Sequence, residues 1–332
     1  MIRPGCHISF IVIAKNEEYA LPKCLESIVR LDLQGYEVIC VDSGSSDGTQ
    51  SIMLEYAASY GTFRYVSAPN CRNAAMARNR GIEVAHGRLV FFVDGDIELN
   101  RQFVQLALEI LENSSASAVA GGLDEVIYDN CTKSDVRGPY QRSHYTKCKD
   151  LMACSGTFVV SASVVHDIGL YDERFYVNQD IDYSLRLSSA HRLVGIPMQM
   201  GIHYTQEYGS RPWLHLISGI VMNQGLLARK HFMRRGFLRY WYSSRKISVW
   251  GLVLTNTLLL LVVLHILGGF SWAPPTMMLA MMLTCTLAYS VHRQQSFLTT
   301  LILVFLNPYL IVLGFLGASR IGRCGPKRAE KH

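Results

Sequence analysis

The stretch Arg88-Leu89-Val90-Phe91-Phe92-Val93-Asp94-Gly95-Asp96 (RLVFFVDGD) is a continuous apolar run that stops on two carboxylates flanking a glycine. Its length and its β-branched and aromatic content suit a strand buried on both faces. The turn that ends it brings Asp94 and Asp96 close enough to share one hard divalent cation with the phosphate oxygens of a ligand. Oxygen donors of this kind select Mg²⁺ or Mn²⁺. Taken alone, the same letters serve equally well as ordinary Asp-Gly turn punctuation.

Working outward, residues 7–14 (HISFIVIA) and 37–41 (EVICV) read as two more buried strands, with a weaker one at 63–67. Helical stretches follow: one with Pro22 near its start, then 51–60, 73–85 and 100–112. Strands alternating with helices predict an α/β fold, a mostly parallel sheet sandwiched by helices. Ligands bind such sheets at the carboxyl ends of the strands, where the loops 15–18, 42–49 and 94–96 fall. Asp42 closes its strand ahead of Ser43-Gly44-Ser45-Ser46-Asp47-Gly48-Thr49, small residues that let a flat ring approach the backbone. Its carboxylate is able to accept from a base N–H, while Ser46 or Asp47 caps the next helix. Beyond Ser117 the expectation is strands near Val119 and Phe158, loops rich in Tyr, Arg and Lys over 128–150, and a final strand at 198–204. This part is expected to shape the second substrate's site.

The 332 residues carry a net charge of +6 that conceals two unlike parts. Residues 1–207 hold 18 Lys/Arg against 25 Asp/Glu, whereas residues 208–332 hold 14 basic residues and only Glu330. Within the basic part, 247–267, 272–291 and 297–318 contain no Lys, Arg, Asp or Glu, and each approaches the ~20 residues needed to cross a bilayer. Runs this apolar exclude a nucleic-acid surface and favour a membrane. Just before them, Arg229, Lys230, Arg234, Arg235, Arg239, Arg245 and Lys246 interleave with Phe232, Phe237, Tyr240, Trp241 and Tyr242, a pattern suited to an anionic cytoplasmic leaflet.

The expected organisation is therefore a catalytic domain over 1–210, a basic interfacial segment over 211–246, C-terminal transmembrane helices within 247–319 and a basic tail over 320–332. Met1-Ile2-Arg3-Pro4 leads into strand-like sequence with no apolar signal-peptide core, which predicts a cytosolic catalytic domain attached to the plasma or inner membrane. Three full spans would send the tail outside, yet Arg320, Arg323, Lys327, Arg328 and Lys331 favour the inside. Asn307-Pro308 interrupts the last run, so a broken third helix or two true crossings is expected. The nine cysteines lack metal-ligand spacing, and Cys24, Cys40 and Cys154 read as reduced core thiols.

Four ordered segments, SFIVIAKNEE, VICVDSGSSDGT, ARNRGIEVAHGRLVFFVDGD and GLYDERFYVNQDIDYSLRL, resemble glycosyltransferase family 2 with its GT-A fold, over roughly residues 7–205. The resemblance implies that Asp42 holds the nucleotide base, that Glu17 and Arg78 line the nucleotide and diphosphate site, and that Asp94 and Asp96 form the D-x-D pair, with Asp96 the direct metal ligand. It also implies that Asp180, in Gln179-Asp180-Ile181-Asp182, is the general base. The family usually has Glu-Asp there, so Gln179 departs from the pattern, leaving the base in place and the role of its neighbour open. The plain alternative is two solvent-facing acids in a helix's first turn. His203 stands as a third metal ligand, a diphosphate contact or a structural histidine. Cys154-Ser155-Gly156-Thr157 resembles the family's Gly-rich acceptor loop with one glycine replaced. Trp213 and the residues from Tyr140 to Tyr145 serve either to stack on sugars or to pack.

A nucleoside diphosphate leaves readily only when its developing charge is neutralised, here by the metal and Arg78. Attack by an acceptor hydroxyl deprotonated by Asp180, from the opposite face, inverts the anomeric centre. The expected function is non-processive transfer of one sugar from a nucleotide-diphosphate sugar to a lipid-linked acceptor, in surface polysaccharide or glycolipid biosynthesis of the cell envelope. A polyprenyl-phosphate sugar synthase is the nearest alternative. A processive synthase should carry Gln-x-x-Arg-Trp after the base, which is absent, and a nucleotidyltransferase should carry a Gly-rich loop after the first strand, where Ala14-Lys15-Asn16-Glu17 stands. A non-catalytic nucleotide-sugar sensor of the membrane is the alternative from another class, and the intact Asp42, Asp94, Asp96 and Asp180 speak against it.

Overall fold

The computed structural model describes residues 7–129, 131–143, 145–206 and 220–233. The chain divides into two compact units, Met1–Gly209 and Ser210–His332. Of the second, the described part is a helix, Ile220–His231. Trp213, the expected spans within 247–319 and the tail lie outside the described residues, as does most of the interfacial segment. Among the described residues no helix is long and apolar enough to cross a membrane.

The first unit is built on β1 (Ile8–Ala14), whose seven residues are all buried. It pairs in parallel with β2 (Tyr36–Asp42) on one side and β4 (Leu89–Asp94) on the other. Beyond β2 lies β3 (Phe63–Ser67), also parallel. On the far side of β4 come β9 (Phe158–Ser161), β6 (Ala118–Asp129), β10 (Leu193–Gln206) and β5 (Ile97–Leu99), in the order β3-β2-β1-β4-β9-β6-β10-β5. Because β9 is antiparallel to both β4 and β6, and β6 is parallel to β10, strands β1–β4, β6 and β10 run in one direction. The sheet is thus mostly parallel, as the alternation of strands and helices predicted.

Side chains alternate across β1 with the period of two that a strand imposes. Phe10 and Val12 face one layer with α1 (Leu21–Val29), Met53 of α2 (Thr49–Ser59) and Phe103, Val104 and Ala107 of α4 (Arg101–Asn113). Ile11 and Ile13 face the other, with Ala75 and Ala77 of α3 (Ala74–Val84), Val164 and Val165 of α5 (Ala162–Ile168), and Tyr183 and Leu187 of α6 (Gln179–Ala190). Cys24, Cys40 and Cys154 are free, buried thiols within these layers.

One segment differs from the sequence reading. Residues expected as loops over 128–150 include β7 (Ser134–Ser143), which pairs antiparallel with the long strand β6, and the short β8 (Lys149–Asp150) beside β10. Asp135, Arg137, Gly138 and Pro139 break the apolar alternation that marks a strand. Pairing to β6 through the backbone forms it all the same.

At the sheet end remote from the 15–18, 42–49 and 94–96 loops, Glu37 is buried, with its Oε1 accepting from Ser9 Oγ at 2.7 Å and from the backbone N–H of His86 at 2.6 Å. Arg64 Nη2 stands 3.5 Å from Oε2. Burial pushes this carboxyl up, but the donors from Ser9 and His86 outweigh it and hold it below the ordinary 4.5. Such a group stabilises the fold fully above its unfolded value, and the contribution is lost as pH falls through the lowered folded value. Glu37→Gln should therefore cost about 1–3 kcal/mol at neutral pH, and urea melts of variant and wild type should converge in acid. A difference that persists unchanged to low pH would contradict this.

Candidate active site

Register decides which residues meet. Ala14 lies beside Asp42 and Ile13 beside Asp94, so the ends of β1, β2 and β4 open onto one edge. The first two loops are laced together: Asn16 N–H donates to Ser45 Oγ at 3.0 Å, Asn16 Oδ1 accepts from Ser46 N–H at 2.8 Å, and Glu17 N–H donates to Thr49 Oγ1 at 2.8 Å. Glu18 Oε2 accepts from Gly48 N–H at 2.8 Å, and Asp47 Oδ1 from Thr49 N–H at 3.0 Å. The start of α2 is therefore capped from its own loop and from the neighbouring one. Asp42 is buried, its Oδ1 held by Ser45 N–H at 3.0 Å and Ser45 Oγ at 2.6 Å, with Tyr65 Oη 3.5 Å from Oδ2.

The two acids of the D-x-D turn have different partners. Asp94 Oδ1 accepts from Arg78 Nη2, a guanidinium that α3 carries into the interior with 2% of its surface exposed. Nε and Nη1 of Arg78 have no hydrogen-bond partner, and the guanidinium lies over the Tyr171 ring, 5.4 Å from its centroid. Tyr171 in turn stacks on Tyr183 at 3.9 Å. Burial raises the Asp94 carboxyl, as does the Asp96 carboxylate, while Arg78 opposes both. Asp96 faces the other way, with Oδ2 3.1 Å from His203 Nε2 on β10 and Oδ1 buried without a partner. Gly95 permits the turn, since a Cβ there would stand 2.8 Å from Ala14 Cβ. Among the described residues no three His, Cys, Asp or Glu side chains form a ready cation cage. What the turn offers is one free carboxylate oxygen beside one imidazole.

Asp180 lies in the first turn of α6, its Oδ1 accepting from Ile181 N–H at 2.9 Å. Burial pushes its carboxyl up, Arg78 draws it down and Asp94 raises it. Asp182, which a plain helix start would leave in solvent, is buried and ion-paired with Arg186 at 3.2 Å. The two acids therefore have separate duties, Asp182 orienting Arg186, whose guanidinium donates to the Ile168 and Leu170 carbonyls, and Asp180 standing within reach of the Arg78 charge. Beside it, Gln179 Oε1 and Asn178 Nδ2 are buried without partners.

Residues 9–169 match the family described as Glycosyl transferase family 2. The segment 9–169 belongs to that family, and it takes in just under half of the 332 residues. Its curated relatives include Glycosyltransferase AglE of Haloferax volcanii, 23% identical over 61% of this chain and 68% of the relative. A dolichyl-phosphate beta-glucosyltransferase of Trichomonas vaginalis is 36% identical over 28% of this chain and 31% of its own length. The chain spans less than half the length of several of these relatives. Among solved structures, S. aureus TarS 1-349 in complex with UDP-GlcNAc is similar, with a TM-score of 0.55 and 17% identity, over 71% of this chain and 73% of that one. The GT-A-like α/β fold is thereby established for the first unit.

Sequence reading brought the family's acids together but missed what holds them. In the Cys154–Thr157 turn, Thr157 Oγ1 accepts from Asp94 N–H at 3.3 Å. A Cβ on Gly156 would collide with Arg78 Nη2 and stand 2.8 Å from Asp94 Oδ2. Gly156 is thus the position of this loop that the ion pair requires to stay without a side chain, while Cys154 is buried. Gly156→Ala should destabilise the protein by about 1–3 kcal/mol through overpacking. Wild-type stability in a thermal or urea melt would show that the turn does not press on the pair.

Proposed function

We propose that the chain is an inverting, non-processive glycosyltransferase that moves one sugar from a nucleotide-diphosphate sugar to a hydroxyl of a lipid-linked acceptor at the cytosolic membrane face. The observation that carries the reading is the gathering of Asp42, the Asp96–His203 pair and the Arg78–Asp94 pair on one sheet edge of a family 2 domain, with Asp180 close to the Arg78 charge. The UDP-GlcNAc named for the TarS neighbour supports a nucleotide sugar as donor.

In this reading Asp42, fixed through Oδ1 by Ser45, turns Oδ2 toward the base, and the laced 15–18 and 43–49 loops carry the nucleoside. Asp96 and His203 would hold Mg²⁺ or Mn²⁺, and the fit rests on the buried, partnerless Oδ1 of Asp96 beside the imidazole. Such a cation, when bound, neutralises charge on the departing diphosphate. Asp94 keeps the Arg78 guanidinium charged and aligned at the site. Asp180 takes the acceptor hydroxyl's proton, and its raised affinity for protons suits a base working near neutrality. Attack opposite the leaving group inverts the anomeric carbon.

The charge-free runs within 247–319 and the basic, aromatic segment before them support attachment to the plasma or inner membrane, with a lipid-linked acceptor of surface polysaccharide or glycolipid synthesis. The likeness to a dolichyl-phosphate beta-glucosyltransferase favours a second reading, in which a polyprenyl phosphate is itself the acceptor.

Incubation of the full chain with labelled nucleotide sugars and bacterial lipid extract should move label into organic-soluble product. Asp180→Asn should lower kcat by roughly 10²–10⁴ with donor affinity retained. The acid limb of kcat/KM should lie above the ordinary carboxylate value of 3.8, activity rising with pH as Asp180 ionises between Arg78 and Asp94. Label confined to water-soluble products would reject the lipid acceptor, and full activity of the variant would reject the base.

A further inference from the structure

His203 is held from both sides. Glu125 on β6 is its direct parallel neighbour, and Thr205 lies two residues further along β10, on the same face. Thr205 Oγ1 stands 2.7 Å from Glu125 Oε1 and 3.1 Å from His203 Nδ1, with Glu125 Oε1 3.5 Å from the same nitrogen. A carboxylate accepts only, so the Thr205 hydroxyl donates to Glu125. Its oxygen then accepts from His203, which places the ring proton on Nδ1. In the neutral ring, the lone pair of Nε2 is left facing Asp96 Oδ2 at 3.1 Å, next to an Oδ1 that is buried and has no partner. A lone pair set against a carboxylate oxygen repels it unless a cation lies between their reach. Adjacent ligands of an octahedral cation with bonds of about 2.0–2.1 Å stand about 3 Å apart.

We propose that Glu125 and Thr205 form a positioning pair that fixes the His203 tautomer and so presents Nε2, together with Asp96, to a divalent cation. Neither touches the cation or the substrate. They act through the imidazole, as carboxylates behind metal-bound histidines generally do, orienting the ring and making it a better donor. The inference rests on the metal-dependent reading above. The competing arrangement is a protonated His203 that merely bridges Asp96 and Glu125, and it predicts no nitrogen ligand on the cation.

The test uses Mn²⁺ as the probe, bound to the full-length protein alone and with UDP, GDP, TDP or ADP, followed by electron paramagnetic resonance. Wild type should bind Mn²⁺ and show coupling to an imidazole ¹⁴N that His203→Ala removes. Glu125→Leu should weaken Mn²⁺ binding about 10–100-fold and diminish that coupling, while Glu125→Gln, which keeps an acceptor oxygen, should restore most of both. Thr205→Val provides a second removal, free of any folding defect in the Leu variant, and should weaken Mn²⁺ binding in the same direction. Glu125→Leu and Thr205→Val variants with wild-type affinity and ¹⁴N coupling would overturn the proposal, as would a bound Mn²⁺ without any ¹⁴N coupling. Absence of Mn²⁺ binding in wild type under every condition, or undiminished binding in Asp96→Asn, would instead overturn the cation reading beneath it.

Discussion

A guanidinium taken out of water is the constraint around which this site is arranged. Removing a charge from solvent costs several kcal/mol unless a partner stands against it. Arg78 has one committed N–H, to Asp94, and the face of Tyr171 beneath it. Everything near the pair answers to that need. Asp94 must remain charged although burial works against it, Tyr171 is kept flat by its stack on Tyr183, and position 156 is left without a side chain. The same positive charge reaches Asp180 and restrains the rise that burial imposes on it. One ion pair, buried on its Arg78 side and partly exposed at Asp94, thus joins the end of β4 to helix α3, and its positive charge reaches the start of α6.

The D-x-D turn consequently divides its labour. Asp94 pairs with Arg78, and Asp96 with His203, which the antiparallel pairing of β10 with β5 brings alongside. On the proposed function, a cation held by Asp96 and His203 would take few donors from the protein itself. The remaining positions would fall to the substrate's oxygens, which suits Mg²⁺ or Mn²⁺ carried in with a diphosphate. On the other flank, Asn16, Glu17 and Glu18 are laced to the 45–49 loop by hydrogen bonds, which tie together the loops proposed to carry the nucleoside.

The parallel half of the fold was legible in the sequence because each of its strands is a short apolar run ended by polar loop residues, and hydrophobic periodicity reports burial directly. The run at 89–94 and the loop at 42–49 placed Asp42, Asp94 and Asp96 at one edge before any coordinates. Strand β7 was not legible, since Asp135, Arg137, Gly138 and Pro139 interrupt any apolar alternation and its existence depends on pairing with β6. The Gly156 contact and the Glu125–Thr205 support of His203 were equally hidden. Both depend on tertiary register between segments far apart in the chain, and no local pattern encodes that. The position of Asp180 followed from family likeness, but the burial of its neighbour Asp182 did not.

In the proposed function a nucleotide sugar lies along the edge from Asp42 to Asp96. The most direct measurement is a structure of the full-length protein with Mn²⁺ and whichever of UDP, GDP, TDP and ADP binds. The base should lie against Asp42, and the cation should join the diphosphate to Asp96, with Oδ1 now engaged. A nucleotide bound elsewhere, with Asp96 Oδ1 still buried and without a partner, would contradict it.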